Sequence, residues 1–145
     1  MNPLDLNVNL SEVKTGRPVL PKAQYRMIIS ETEIAENSKG TGYNLRVQFA
    51  TVNPETDEEG TLINPGFPVF RYYPLQQSDN PKAPDFRVDI KRLLNAAFGC
   101  DDDSCPEFNE ATVADLKGQE VLVSLKVRDD EEYGRSNDVS RVEAV

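Results

Sequence analysis

The sequence predicts a mainly β domain: five antiparallel strands wound as a Greek-key barrel, with one helix between the third and fourth strands. Three observations carry this expectation. The stretches 23–35, 42–52 and 119–128 alternate apolar and polar residues with a period of two, as half-buried strands do. Only 86–99 repeats its apolar residues at convincing helical spacing. Clusters of Gly, Pro, Asn and Asp separate the segments in the order β-β-β-α-β-β.

Taken in order, residues 1–20 carry Pro3, Gly16 and Pro18 with little periodicity and read as an N-terminal arm, leaving 21–145 as one domain. In the first strand Tyr25, Met27 and Ile29 share a face. NSKGTG (37–42) is a hairpin turn, and the second strand follows with Tyr43, Leu45, Val47 and Phe49 inward and Asn44, Arg46 and Gln48 outward. Residues 53–66 read as a long acidic loop. FPVFRYYPL (67–75) is the third strand, placed at an edge because Pro68 and Pro74 cannot donate to a ladder. Its expected parity turns Tyr72 into the core and Phe67, Arg71 and Tyr73 outward.

Asp85 is the expected N-cap of the helix, with Phe86, Ile90, Leu93, Leu94 and Ala97 along one side and Gly99 at its end. Lys91 and Arg92 fall on its solvent face. A short helical turn over 109–118, closed by Gly118, precedes the fourth strand, whose Val121, Val123, Leu125 and Val127 point inward. In the fifth segment, 135–145, Val139 and Val142 differ in parity, and a β-bulge between them would reconcile the two. Five strands gain most by closing on themselves, and a helix between strands three and four that plugs one end is the OB arrangement. An open sheet with the helix on one face is the alternative.

Composition narrows the function classes. Net charge is −9, yet 53–60, 101–110 and 129–132 hold 13 of the 25 acidic residues and no Lys or Arg. The remainder of the chain is net basic, and the local field at a groove matters more for binding than the total. The acidic loops read first as solubility and edge protection. No apolar run approaches membrane-spanning length, and MNPLDLNVNL lacks the pattern of a secretory leader. A cytoplasmic location is therefore expected, the host cytoplasm for a phage-encoded chain. Cys100 and Cys105 are expected as free thiols.

Catalysis is not expected. The chain has no histidine, hence lacks the commonest general base and metal ligand. Asp101, Asp102 and Asp103 could attract Mg²⁺ or Ca²⁺, and a metal-dependent nuclease would need them, but the run lacks the alternating carboxylates and glycine of a calcium loop. No cofactor is implied.

Binding of single-stranded nucleic acid fits better. It needs cations to follow the phosphates and planar groups to stack the bases. The strands offer Arg26, Arg46, Gln48, Arg71, Tyr73, Lys126, Arg128 and Arg135, with Tyr43 and Lys39 at the first turn. Arg141 lies in the last strand with its facing open. The Asp129–Glu132 loop would repel phosphate near that face. For any one of these cations a solvated surface role is the plainer reading; only their joint pattern favours binding.

The segments LPKAQYRMIISETEIAENSKGTGYNLRVQF (20–49), IKRLLNAAFG (90–99), LKGQEVLVSLKV (116–127) and YGRSNDVSRV (133–142) resemble those of a group of small phage proteins encoded near replication and recombination genes. The resemblance spans about residues 20–143. It implies an OB-fold protein that binds single-stranded DNA without strong sequence preference, in support of phage replication or recombination. It also implies replication or recombination proteins as partners, with the acidic loops as their candidate docking segments; self-association stays open. The competing reading is an acidic phage structural or protein-interaction module that does not touch nucleic acid.

Overall fold

The structure, a computed structural model, describes residues 17–132 and 134–145. Residues 1–16 of the predicted arm lie outside the described residues.

Five long strands form one antiparallel sheet: β1 (Ala23–Glu36), β2 (Tyr43–Thr51), β5 (Pro68–Pro74), β6 (Glu120–Asp130) and β7 (Gly134–Ala144). Two helices, α1 (Arg87–Phe98) and α2 (Glu110–Leu116), lie between β5 and β6. The mainly β expectation and the order of elements are borne out. The predicted acidic loop also contains a hairpin, β3 (Glu55–Thr56) and β4 (Leu62–Ile63). Its turn is built by Asp57, whose Oδ1 accepts the amides of Glu59 and Thr61 at 2.9 and 2.8 Å, a side-chain turn that apolar periodicity does not reveal.

The sheet order is β5-β2-β1-β6-β7. β1 is shared: Ala23–Ile28 pair with β6, while Met27–Glu36 pair with β2. Ser30 is an extra residue between Ile29, opposite Phe49, and Glu31, opposite Gln48; its hydroxyl donates to the Gln48 carbonyl at 3.2 Å. Such a bulge bends the strand so that it can serve both neighbours. The expected bulge in β7 is present at Ser140, because Ser124 faces Arg141 and Leu125 faces Val139. It returns both Val139 and Val142 to the core side, where they pack against the buried cluster. β5 is an edge strand, where a missing proline N–H interrupts no inner ladder.

The core lies inside the curved sheet. Met27, Ile29, Leu45, Val47, Phe49, Val121, Val123 and Leu125 meet Ile90, Leu93 and Leu94 of α1. The N-cap position of α1 is Phe86, already in helical geometry and without a side-chain cap, so Asp85 is not the N-cap expected; it stands one residue earlier, where its Oδ1 accepts the Arg87 amide at 3.0 Å, and Gly99, at φ 64°, ends the helix. α2 starts from a reciprocal capping box between Asn109 and Thr112.

Chaining the antiparallel pairings makes the outer strands β5 and β7 run in the same direction. They approach each other, but no backbone ladder joins them, so the sheet is not closed by hydrogen bonds. Their first halves are bridged by residues 17–20. Arg17 Nη2 donates to the Pro68 carbonyl at 2.7 Å, and Leu20 exchanges hydrogen bonds with the Asn137 amide at 2.9 and 2.8 Å. Val19 and Leu20 are buried, so this part of the expected arm is built into the domain. Beyond them α1 packs on β7 and reaches β5 through the Asp89–Arg71 ion pair. Among the described residues no helix is long and apolar enough to cross a membrane.

Candidate nucleic-acid interface

The outward face of β2 and β5 gathers rings and cations. Leu45, Val47 and Phe49 are buried, so Asn44, Arg46 and Gln48 must point away from the core. Across the ladder Arg46 faces Tyr72 and Gln48 faces Phe70. Val69 and Tyr73 are buried and Tyr72 is 59% exposed, which sets Phe70 and Tyr72 on the same outward face. The Arg46 guanidinium carbon lies 4.3 Å from the Phe70 ring centroid. Arg17 approaches the same ring at 5.9 Å and Phe67 at 5.5 Å. Arg46 also comes within 3.7 Å of Glu33 on β1, an exposed and hence weak pair.

Two expected site residues are misplaced by one position of parity. Tyr73 is 1% exposed and belongs to the core; Arg71 shares its inward parity. The Arg71 guanidinium stands 4.5 Å over the Tyr73 ring and 3.4 Å from Asp89 of α1. Burial pushes the Tyr73 phenol up to about 12, with Asp89 adding and Arg71 opposing. Tyr72, expected in the core, is the exposed ring. The physical reason is local. In FRYYP adjacent aromatics offer similar area to either face, and the decision falls to Val69 opposite Phe49 and Tyr73 opposite Leu45. Phe67 is half-buried against the core, its amide donating to Thr51 Oγ1 at 3.0 Å.

The remaining expected residues are spread around the sheet. Lys39 is exposed at the tip of the β1–β2 turn, beyond the end of the β2–β5 face. Tyr43 keeps its inward parity, but it stands at the end of the sheet, leaving it 52% exposed with its amide held by Gln76 Oε1 at 3.0 Å. Arg26, Lys126 and Arg128 are outward, but on β1 and β6, away from β5. Arg26 is committed to Glu120 through contacts of 2.6 and 2.9 Å, and Arg128 lies 3.9 Å from Asp130. Arg135, opposite Asp129, has inward parity at the open end. Its guanidinium bridges Glu58 at 2.6 Å and Asp129 at 2.8 Å. A single trough containing Arg26, Arg46 and Arg71 therefore does not exist.

Phe70, Tyr72 and Arg17 are the residues that the sequence reading missed. For the two rings the usable signal was Val69: had that β-branched residue been taken as the inward one, Phe70 and Tyr72 would have followed outward. Arg17 lay in a segment without periodicity.

The acidic loops have structural duties. Asp101 accepts the amides of Asp103 and Ser104 and the Ser104 hydroxyl at 2.9–3.0 Å, and the Ser104 and Asp103 bonds hold its carboxyl below the usual range. Asp102 accepts Asn95 Nδ2 at 2.9 Å. At the opposite region of the sheet, Asp129 and Asp130 are offset by Arg135 and Arg128. No family model and no curated protein matches this sequence. The function must be read from the site's own chemistry.

Proposed function

We propose that this chain is an OB-type barrel that binds single-stranded DNA across the outward face of β2 and β5, and that it is not an enzyme. The long strands follow the order third-second-first-fourth-fifth, with helices between the third and fourth; a partly open five-stranded barrel of this kind carries ligands on its second and third strands. The observation that carries the reading is the pair of outward rings, Phe70 and Tyr72, interleaved with Arg46 and flanked by Arg17. Tyr72, 59% exposed, gains little from folding to match its hydration cost, and Phe70 beside it is half-buried under Arg46; bases stack on such rings at about 1–3 kcal/mol each. Guanidinium groups at the same place supply phosphate contacts. Lys39, at the first turn, extends the cationic edge. Pairing of Asp129 and Asp130 with arginines lessens the repulsion expected of that loop.

The resemblance to small phage proteins supports a place in phage DNA replication or recombination. Fluorescence anisotropy of a labelled oligo-dT, titrated with the protein at low salt, tests the reading. Saturable binding that weakens steeply with salt is expected. Absence of binding at low salt refutes it and favours the acidic protein-interaction module, for which a partner would co-purify without nucleic acid.

A further inference from the structure

Of the two outward rings Tyr72 is the open one, 59% exposed. Phe70 is half-buried, and the Arg46 guanidinium carbon stands over its ring, 4.3 Å from the centroid, well within the range of a cation–π contact. The Arg17 guanidinium approaches the same ring at 5.9 Å. A base cannot take the Phe70 face that Arg46 covers without displacing it. Arg46 itself is within reach of a ligand, because 34% of its side chain is exposed.

The register of the sheet accounts for this arrangement. Arg46 lies opposite Tyr72, and Gln48 opposite Phe70. Arg46 therefore leaves its direct cross-strand neighbour uncovered and crosses to the diagonal one, a distance that a long side chain spans. On its other side Arg46 faces Glu33 of β1, whose carboxylate lies 3.7 Å from Nη1. That exposed pair adds little stability but fixes one end of the guanidinium. The ring supports its plane, and N–H groups remain for a phosphate.

We propose that Arg46, backed by Phe70, is the second stacking plate of this face. One base lies on the Tyr72 ring, and its neighbour lies on the guanidinium plane with the Phe70 ring beneath. The inference rests on the single-stranded DNA reading and names the group that touches the second base. Phe70 and Tyr72 are two positions apart on one strand, about 7 Å. This is about twice the 3.4 Å step between stacked bases of a duplex. Adjacent bases seated on the two plates are drawn apart from each other, so the ligand is an unstacked single strand.

The test is a salt series of oligo-dT anisotropy on the wild type, Arg46→Lys, Phe70→Leu and the double variant. Lysine keeps the charge and lacks the plane. Arg46→Lys is expected to weaken binding about tenfold, while the slope of log K against log salt keeps its wild-type value. Phe70→Leu leaves the charge and removes the support; a loss of about fivefold at unchanged slope is expected. The double variant should bind no more weakly than Arg46→Lys alone, because the two residues act as one plate. Urea denaturation of the free variants reads whether each keeps its fold, and Arg46→Lys, at a partly exposed position, decides the matter by itself. If it binds as tightly as the wild type, the inference is overturned and the single-stranded DNA reading stands. Losses that add in full in the double variant overturn it equally, since the two side chains then act separately. A wild type that does not bind oligo-dT at low salt removes the reading and this inference together.

Discussion

Tyr72 and Tyr73 are adjacent in sequence, and their replacement by alanine should produce opposite phenotypes. Tyr73→Ala removes a ring that is 1% exposed from the wall beneath α1. Aromatic-to-alanine changes in cores cost about 3–5 kcal/mol. Here the lost ring takes with it a buried hydroxyl that has no hydrogen-bond partner among the described residues, which returns about 1 kcal/mol, for a net cost of about 3 kcal/mol. Against a typical total of about 5–15 kcal/mol this is a large fraction, and it lowers the melting temperature by roughly 10 °C in a chain of this length. Tyr72→Ala removes a ring that is 59% exposed, so stability should change by no more than about 0.5 kcal/mol. Its loss should instead weaken oligo-dT by about 1–3 kcal/mol, roughly fivefold to a hundredfold or more. Urea denaturation and fluorescence anisotropy on the same two variants read both effects. If Tyr72→Ala unfolds the protein while Tyr73→Ala does not, the parity assigned to β5 is wrong. If Tyr72→Ala alters neither quantity, the stacking argument fails.

Tyr73→Phe should raise the stability of the ligand-free protein by about 1 kcal/mol in a urea titration, because a desolvated hydroxyl is removed without a cavity. Spectrophotometric titration should show one tyrosine ionising at about 12 in the wild type and not in this variant. Arg46→Gln should lower the slope of log K against log salt for oligo-dT by about one, one phosphate contact fewer, with little effect on folding. The Arg87 side chain, then its backbone amide, hold the Asp85 carboxyl down to about 2, well below its ordinary 3.8. A depressed folded value means that its contribution to the α1 terminus is complete above the unfolded value and is lost as pH falls from about 4 through about 2. Following the Asp85 carboxyl carbon by NMR across that window checks both the value and the direction; a midpoint near 4 refutes the pairing.

Legibility varied with how local the deciding interaction is. The Val121, Val123 and Leu125 face and the Leu45, Val47 and Phe49 face were readable because period-two alternation reports directly on one buried side. The Ser140 bulge was readable because two valines of opposite parity had to reach the same core. The β3–β4 hairpin was not, since the Asp57 side chain, rather than an apolar pattern, makes its turn. The candidate interface was half readable. Arg46 and Gln48 sit on the strand with the cleanest alternation, whereas Phe70 and Tyr72 sit where aromatics occupy both parities. Arg135 looked free in sequence and is held by Glu58, 77 residues away.

By itself the sequence determined the β-rich class, the order of the elements, the helix and its C-terminal Gly99, and the faces of β2 and β6. These follow from short-range periodicity and proline and glycine positions. Only the tertiary structure decided which face of β5 is buried, which arginines are neutralised by distant carboxylates, and that the outer strands stop short of pairing. Those outcomes depend on register and on contacts between residues far apart in the chain. Burial and ion pairing are properties of neighbours in space, which a linear pattern specifies only where one face has no apolar rival.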